Sequence, residues 1–302
     1  MVSSDWHSFW ELANDARDFV NYAPIDQNIC LGDVCNDRFS DSSGMSNYNY
    51  WNSTLLAIGN HDVLTGTGYN WENQASITAQ YNTFYAPWVK QNGSVQSVNT
   101  TYLYKDFPDK KIRLIVLDSM TLNPSYQNDM LEWFKNLLDD ARQKDYGIIC
   151  CRHWGYGRAD QSVQVWCPFS NLPSMGNTML SHEGTLDSLY TIERNILNAI
   201  DEFRGNGGKF ICHLQGHKHY SWAGKYIGFS HGDQLAIVTT SLYTSYGCVR
   251  TYRNEGTIGQ SAFNVVTADL DNETVTVQAY GAINLRAGGQ LHSATFDWNA
   301  TY

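Results

Sequence analysis

The chain has 302 residues, of which 42% are apolar and 17% are charged. A protein of this length and composition can bury enough apolar surface to fold without disulfides or structural metals. The composition excludes disordered, collagen-like and coiled-coil classes. With 30 acidic and 20 basic residues the net charge is −10, which disfavours general binding to nucleic acid or anionic membranes, because phosphates attract basic surfaces.

The sequence contains no candidate membrane span, because it has no run of about 18 apolar residues. Its opening segment, MVSSDWHSFW, lacks the basic and apolar stretches of a secretory signal. We therefore expect a soluble protein. The residues assign neither its cellular compartment nor its oligomeric state.

Short apolar runs alternate with amphipathic stretches, which is typical of an α/β domain. The runs predict strands at 29–31, 54–58, 112–117, 148–151, 210–213, 235–240, 262–269 and 274–280. Apolar residues at helical spacing predict helices at 8–20, 129–143 and 186–203.

Three polar, aromatic-rich stretches lack this periodicity, at about 40–53, 65–99 and 154–184. We predict a single domain over residues 1–302 with these stretches as long loop insertions. Their aromatic side chains can stack on a sugar or base of a substrate, or they can pack the loops onto the domain. Both alternatives stay open.

Side chains that can bind metal follow several of the predicted strands. In open α/β sheets, functional sites form beyond the carboxyl ends of the strands. Several separate segments therefore bring carboxylate, carboxamide and imidazole groups to one edge of the sheet. These segments contain Asp5 and His7, Gly32-Asp33, Gly59-Asn60-His61-Asp62, His153, and Gly216-His217-Lys218-His219.

This ordered set resembles the calcineurin-like metallophosphoesterase superfamily, whose pattern is D-x-H, G-D, G-N-H-D/E, a lone His and G-H-x-H. The motifs occur here in that order between residues 5 and 219. The resemblance implies an α/β fold with four layers, an α/β/β/α sandwich of two mixed sheets flanked by helices. It also implies a metal-dependent enzyme that hydrolyses phosphate esters.

The resemblance further implies a centre of two divalent or trivalent transition-metal ions. A mixture of hard oxygen and imidazole ligands suits Mn, Fe or Zn. Two neighbouring ions can polarise a phosphoryl oxygen and generate hydroxide at neutral pH. The implied ligands are Asp33 as the bridge between the ions, Asp5, His7 and His219 on one ion, and Asn60, His153 and His217 on the other.

By the same resemblance, His61 is a catalytic residue and not a ligand. It would protonate the departing alkoxide or stabilise its charge, and Asp62 would orient its ring. The attacking group would be a hydroxide that bridges the two metals. No protein nucleophile is then needed.

Two parts of the sequence depart from the family pattern. Fewer apolar residues precede Asp5 than in the family's first strand. Either this strand is short, or the sequence begins late, or the match of Asp5 and His7 to the pattern is accidental. Asn36 replaces a carboxylate that many members carry after the G-D motif. The candidate phosphate contacts, each with a surface salt bridge or a solvated loop as the alternative, are Arg38, Arg152, Tyr156 and Arg158.

Two other polar residues receive structural interpretations. Asp118 follows an apolar run, but the family pattern assigns it no ligand role, so we interpret it as a turn aspartate. His213 lies within a predicted strand and belongs to none of the motifs. We expect it to be a buried, hydrogen-bonded histidine.

The residues do not separate phosphomonoesterase from phosphodiesterase activity. The aromatic loops are consistent with a bulky or polymeric substrate, such as a glycan-linked or teichoic-type phosphodiester. The negative net charge disfavours a nuclease. The alternative from another class is an inactive phosphoesterase scaffold that serves as a carbohydrate- or surface-binding module. A metallo-β-lactamase-type hydrolase would require H-x-H-x-D-H, which the sequence lacks.

Overall fold

The structure is a computed structural model. It describes residues 1–6, 19, 23–35, 54–65, 68–69, 73–87, 93–97, 99–156, 162–166, 187–219, 222–239, 262–281 and 292–299.

The described residues form sixteen strands and three α-helices. The strands are β1 (Val2–Ser3), β2 (Asn28–Cys30), β3 (Thr54–Leu56), β4 (Leu64–Thr65), β5 (Gly68–Tyr69), β6 (Val95–Gln96), β7 (Leu103–Phe107), β8 (Ile112–Val116), β9 (Gly147–Arg152), β10 (Ser162–Trp166), β11 (Lys209–Gln215), β12 (Trp222–Tyr226), β13 (Gln234–Val238), β14 (Ala262–Asp269), β15 (Thr274–Gly281) and β16 (His292–Asp297). The helices are α1 (Gln74–Phe84), α2 (Pro124–Gln143) and α3 (Asp187–Gly205).

Two large mixed sheets make up the fold. One has the strand order β16-β15-β14-β1-β2-β3, and the other has the order β10-β12-β13-β11-β9-β8-β7-β6. In the first sheet β1, β2 and β3 are parallel, and in the second β8, β9, β11 and β13 are parallel. Each sheet therefore gathers several strand carboxyl ends at one edge.

Two apolar cores hold the layers together. The first contains residues of both sheets, for example Leu55 and Ile149, so the sheets pack face to face. The second joins the eight-stranded sheet to α2 and α3 and includes Phe134 and Ile196. On the six-stranded sheet, the ring of Phe19 lies against Phe263 and Tyr280. The predicted sandwich of two mixed sheets flanked by helices is confirmed.

The predicted strands are all present, each within two residues of its expected ends. Central strands such as β9 are buried along their whole length, which explains their continuous apolar sequence. Helix α2 begins earlier than predicted, because Asn123 caps it and Pro124 occupies its first turn. Of the helix predicted at 8–20, only Phe19 lies within the described residues.

The sequence predicted a loop insertion over 65–99, but this stretch contains helix α1. The Asn73 side chain caps this helix by accepting a hydrogen bond from the Ser76 N–H at 3.0 Å. Helix α1 buries only Ile77, Thr78 and Tyr81, so it shows no apolar periodicity. The stretch 154–184 contains β10, and 40–53 lies outside the described residues.

Among the helices in the described part of the chain, none combines the length and the apolarity that crossing a bilayer requires.

Asp118 forms the turn that follows β8. Its Oδ1 accepts hydrogen bonds from the N–H groups of Met120 and Thr121 at 2.6 and 3.0 Å. Its Oδ2 accepts from the hydroxyls of Thr101 and Thr121, both at 2.6 Å. The predicted role of Asp118 as a turn aspartate is confirmed.

Replacing Asp118 with alanine is expected to lower the free energy of unfolding by about 3 kcal/mol, because buried amides and hydroxyls would lose their acceptor. Urea unfolding followed by tryptophan fluorescence measures this change. Asp118→Asn is the matched control, with a smaller loss, since its amide oxygen still accepts from the backbone. Equal losses in the two variants would contradict this account.

Candidate metal centre

The candidate site lies where the parallel strands of both sheets end. Within the first sheet, the loops after β1 and β2 are joined by the Asp5 N–H, which donates to the Gly32 carbonyl at 2.9 Å. Within the second, the Gly216 N–H donates to the His153 carbonyl at 3.0 Å. The His217 N–H then crosses between the sheets and donates to Asp5 Oδ2 at 3.1 Å.

Three predicted ligands form one compact cluster. The candidate ligand atoms of Asp33, His153 and His217 all lie within 4.8 Å of one another. His153 Nε2 lies 2.9 Å from Asn60 Oδ1 and 3.3 Å from Asp33 Oδ2. Asp33 and His153 are buried, so their donor atoms face each other within the protein.

A second group lies beside the first. His219 Nε2 lies 3.0 Å from Asp5 Oδ1, and Asp5 is buried. The His217 ring lies 5.1 Å from the His153 ring, measured between centroids. The structure therefore brings together six of the predicted ligands, and His7 lies outside the described residues.

The hydrogen bonds of His153 define which nitrogen faces the site. Nδ1 lies 2.7 Å from the Leu31 carbonyl, which can only accept, so Nδ1 carries the hydrogen. Nε2 is thereby directed at the oxygens of Asn60 and Asp33, which are both acceptors. A cation can satisfy such a convergence of electron-pair donors, and a fixed tautomer of this kind is common in metal-ligating histidines.

Four candidate ligands have left-handed backbone conformations. The φ angles of Asp5, Asp33, His217 and His219 are 54°, 53°, 67° and 56°. This conformation costs about 1–2 kcal/mol for a residue with a Cβ. Such strained residues are concentrated at functional sites, where the surrounding structure holds them in place.

Two glycines allow the loops to approach each other. A Cβ on Gly59 would overlap the backbone nitrogen and Oδ1 of Asp33. Gly32 has a φ of 98°, and a Cβ there would lie 2.7 Å from His153 Nδ1. Both positions therefore require glycine, which explains the G-D and G-N-H-D sequences in steric terms.

The pKa values of the imidazoles reflect the negative charge of this site. Burial lowers the pKa of His153, but the Asp33 charge and hydrogen bond outweigh it and raise the value to about 9. Burial lowers the pKa of His217 to about 3, and the adjacent His153 contributes. Burial also opposes the charge on His219, yet Asp5 raises its pKa. The site therefore favours positive charge, and its oxygen and imidazole donors fit transition-metal ions.

Comparisons with known proteins bear on the fold. No family model and no curated protein sequence matches this chain. The structure is similar to a dimetal phosphatase from Danio rerio, with a TM-score of 0.55 and 9% identity over 98% of both chains. It is also similar to a purple acid phosphatase from yellow lupin seeds, with a TM-score of 0.52 and 12% identity, over 98% of this chain and 53% of the lupin chain.

This chain has the calcineurin-like metallophosphoesterase fold. A third similar structure is the anchor in the inner membrane complex of Plasmodium, with a TM-score of 0.54 and 11% identity, over 100% of this chain and 88% of that protein.

In this calcineurin-like fold, Asp62 has a different set of partners from the one expected. Its Oδ2 accepts from the N–H groups of Asp33 and Gly59 at 3.1 and 2.8 Å. Its Oδ1 accepts from the Cys35 N–H at 2.8 Å and from the Tyr85 hydroxyl at 2.6 Å. These contacts make Asp62 the link between two ligand loops, whereas the sequence predicted that it orients the His61 ring.

Burial raises the pKa of Asp62 to about 6, and the Asp33 charge adds to this rise. His61 is half-buried, and its N–H donates to Asp33 Oδ1 at 2.8 Å. Tyr85 follows α1, in a stretch predicted to be a loop. Sequence reasoning missed it, because its contact with Asp62 joins segments that no local pattern connects.

Arg152 and Tyr156 do not lie at the site, which corrects their prediction as phosphate contacts. Arg152 is 2% exposed, lies 3.1 Å from Glu193 and stacks 4.2 Å from the centroid of the Tyr156 ring. Successive side chains of a strand point to opposite faces. Arg152 therefore contacts α3, while the adjacent His153 reaches Asp33. The other two candidate contacts, at positions 38 and 158, lie outside the described residues.

His213 is buried and lies 3.0 Å from Gln234 Oε1, which agrees with its predicted structural role. Burial lowers its pKa to about 3, so it stays neutral.

We expect the affinity for Mn²⁺ to rise with pH, because the metal must displace the proton that His153 holds up to about pH 9. The increase should approach about tenfold per pH unit between pH 7 and pH 9. Isothermal titration calorimetry in buffers of different ionisation enthalpy measures both affinity and proton release. Replacing exposed His231 with glutamine should leave this dependence intact, whereas a flat pH profile of the unaltered protein would contradict the prediction.

Proposed function

We propose that this protein is a two-metal-dependent hydrolase of phosphate esters. The observation that carries the proposal is the cluster of Asp33, His153 and His217, whose ligand atoms lie within 4.8 Å of one another. It lies at the carboxyl edge of the sheets, where α/β proteins place their sites. The fold is shared with a dimetal phosphatase and a purple acid phosphatase.

The proposed metal ligands divide into two groups around one shared carboxylate. When bound, the two ions would supply Lewis-acid chemistry, polarising a phosphoryl oxygen and lowering the pKa of water. Manganese, iron and zinc all suit these donors. The proposed ligands are Asp33 as the shared carboxylate, Asp5, His7 and His219 in one group, and Asn60, His153 and His217 in the other.

The side chains around Asp33 are arranged to direct its oxygens. Asp33 Oδ1 accepts the His61 N–H at 2.8 Å, which leaves Oδ2 directed towards His153 at 3.3 Å. The Nδ1–H of His153 is held by the Leu31 carbonyl. These bonds would orient the donors before substrate arrives, so little reorganisation would accompany the reaction.

His61 is proposed as the general acid. It is half-buried and follows Asn60 in the chain, and its backbone N–H donates to the Asp33 carboxylate. An imidazolium there would hold a proton at a ring nitrogen and give it to the leaving oxygen of the ester. Asp62 would act indirectly, by fixing the loop that carries His61.

The substrate is proposed to be a phosphomonoester or phosphodiester. The net charge of −10 disfavours nucleic acid, and the aromatic stretches favour a bulky or polymeric ester. A non-catalytic role is the alternative, because one similar structure is an anchor protein. The enzyme is favoured because six of the predicted metal-binding residues are present and lie close together.

Two bound Mn²⁺ ions per chain, together with hydrolysis of p-nitrophenyl phosphate or its bis ester, are the expected results for the unaltered protein. Elemental analysis and the rates on the two esters measure this and separate monoesterase from diesterase activity. Asp33→Asn should lose both ions and the activity, because the shared carboxylate is removed. Asp271→Asn, in an exposed hairpin turn, is the control. Glycan binding by a protein without hydrolytic activity would favour the non-catalytic role.

Replacing His61 with glutamine should leave the metal content intact and lower kcat by about 10²-fold, because the proton donor is lost. The loss should be greatest for esters with poor leaving groups, which depend most on protonation. Rates on a series of aryl and alkyl phosphates measure this trend. An unchanged kcat across the series would remove the proposed role of His61.

A further inference from the structure

The hydroxyl of Tyr85 reaches the loops of the candidate metal centre from α1. Tyr85 is the residue that directly follows this helix, and its N–H continues the helical pattern by donating to the Tyr81 carbonyl at 2.8 Å. Its side chain is 0% exposed. Its hydroxyl donates to Asp62 Oδ1 at 2.6 Å.

Asp62 connects the Tyr85 hydroxyl to the proposed ligands. Its other oxygen accepts the N–H groups of Asp33 and Gly59, which belong to separate ligand loops. Asp33 in turn accepts the His61 N–H, so the two loops are joined in both directions. A shift of Asp62 would therefore displace the backbone of Asp33.

The contact is of a strong type. A hydroxyl that donates to a carboxylate at this distance forms a charge-assisted hydrogen bond. Asp62 is 0% exposed, so solvent cannot replace a lost donor. The Cys35 thiol lies 3.4 Å from the Tyr85 hydroxyl, and the Cys35 N–H donates to the same carboxylate oxygen at 2.8 Å. The carboxylate is thereby held between the loop after β2 and the end of α1.

We propose that Tyr85 is a positioning residue of the metal centre, acting through Asp62 on the bridging Asp33. This inference rests on the proposed function, because it takes Asp33 as a metal ligand. It assigns a role to the 65–99 stretch, whose helix sets the position of the tyrosine. Loss of the hydroxyl would loosen Asp33 without removing any ligand.

The same helix offers a matched control. Tyr81 is also 0% exposed, and its ring lies 5.6 Å from that of Tyr85. Its hydroxyl donates to the Leu56 carbonyl at 3.4 Å and not to Asp62. Tyr81→Phe and Tyr85→Phe therefore each remove one buried hydroxyl, but only the second removes a hydrogen bond to Asp62 and so changes the proposed link to Asp33.

The experiment compares Mn²⁺ binding, kcat and metal-free thermal unfolding in the two variants. Tyr85→Phe should weaken Mn²⁺ binding about 10- to 100-fold, as removal of outer hydrogen bonds to metal sites does. Tyr81→Phe should stay within about twofold of the unaltered protein. Equal weakening in both variants, or none in Tyr85→Phe, would overturn the proposal. Loss of folding in metal-free Tyr85→Phe alone would also overturn it, because the role would then be structural.

A double-mutant cycle tests whether Tyr85 acts through Asp62. Asp62→Ala removes the acceptor of the Tyr85 hydroxyl. Adding Tyr85→Phe to Asp62→Ala should therefore cause less than a threefold further loss of Mn²⁺ affinity. Additive losses would overturn the proposal. Failure of the unaltered protein to bind two Mn²⁺ ions would instead refute the proposed function, so the two failures are distinguishable.

Discussion

The organisation of this protein depends on a buried convergence of electron-pair donors. His153 Nε2 points at oxygens of Asn60 and Asp33, and Nδ1 of the same ring is already committed to the Leu31 carbonyl. Such an arrangement is stable only when a cation, a proton or a metal ion, lies among the acceptors. Without metal, a proton on His153 supplies this positive charge, which is why the pKa of His153 is raised.

Hydrogen bonds and close backbone contacts in the surrounding structure hold these donor groups together. Two sheets contribute their strand ends, and the His217 N–H joins one sheet to the Asp5 carboxylate of the other. Gly59 permits contact with Asp33 at a distance that no larger residue allows. Asp62 completes the arrangement by accepting hydrogen bonds from two loops at once. The centre is therefore a property of the connections between segments as much as of its ligands.

The sequence predicted the strands and the ligand loops, because buried strands are continuously apolar and four of them are followed by short polar motifs. It did not predict α1, which buries few apolar residues and lacks their periodicity. Arg152 was misassigned because proximity in sequence to His153 does not imply a shared face of the strand. The contact of Tyr85 with Asp62 depends on tertiary packing, and no spacing in the sequence encodes it.

The left-handed backbone of Asp5, Asp33, His217 and His219 has a consequence for selection. Glycine adopts this conformation without penalty, so a change to glycine would relax the main chain while destroying the chemistry. At Asp5 and Asp33 the same change would also leave the N–H groups of His217 and His61 without their acceptors, so heat resistance alone would not select it. The strained conformation of these two aspartates would therefore be retained for folding and for metal binding together.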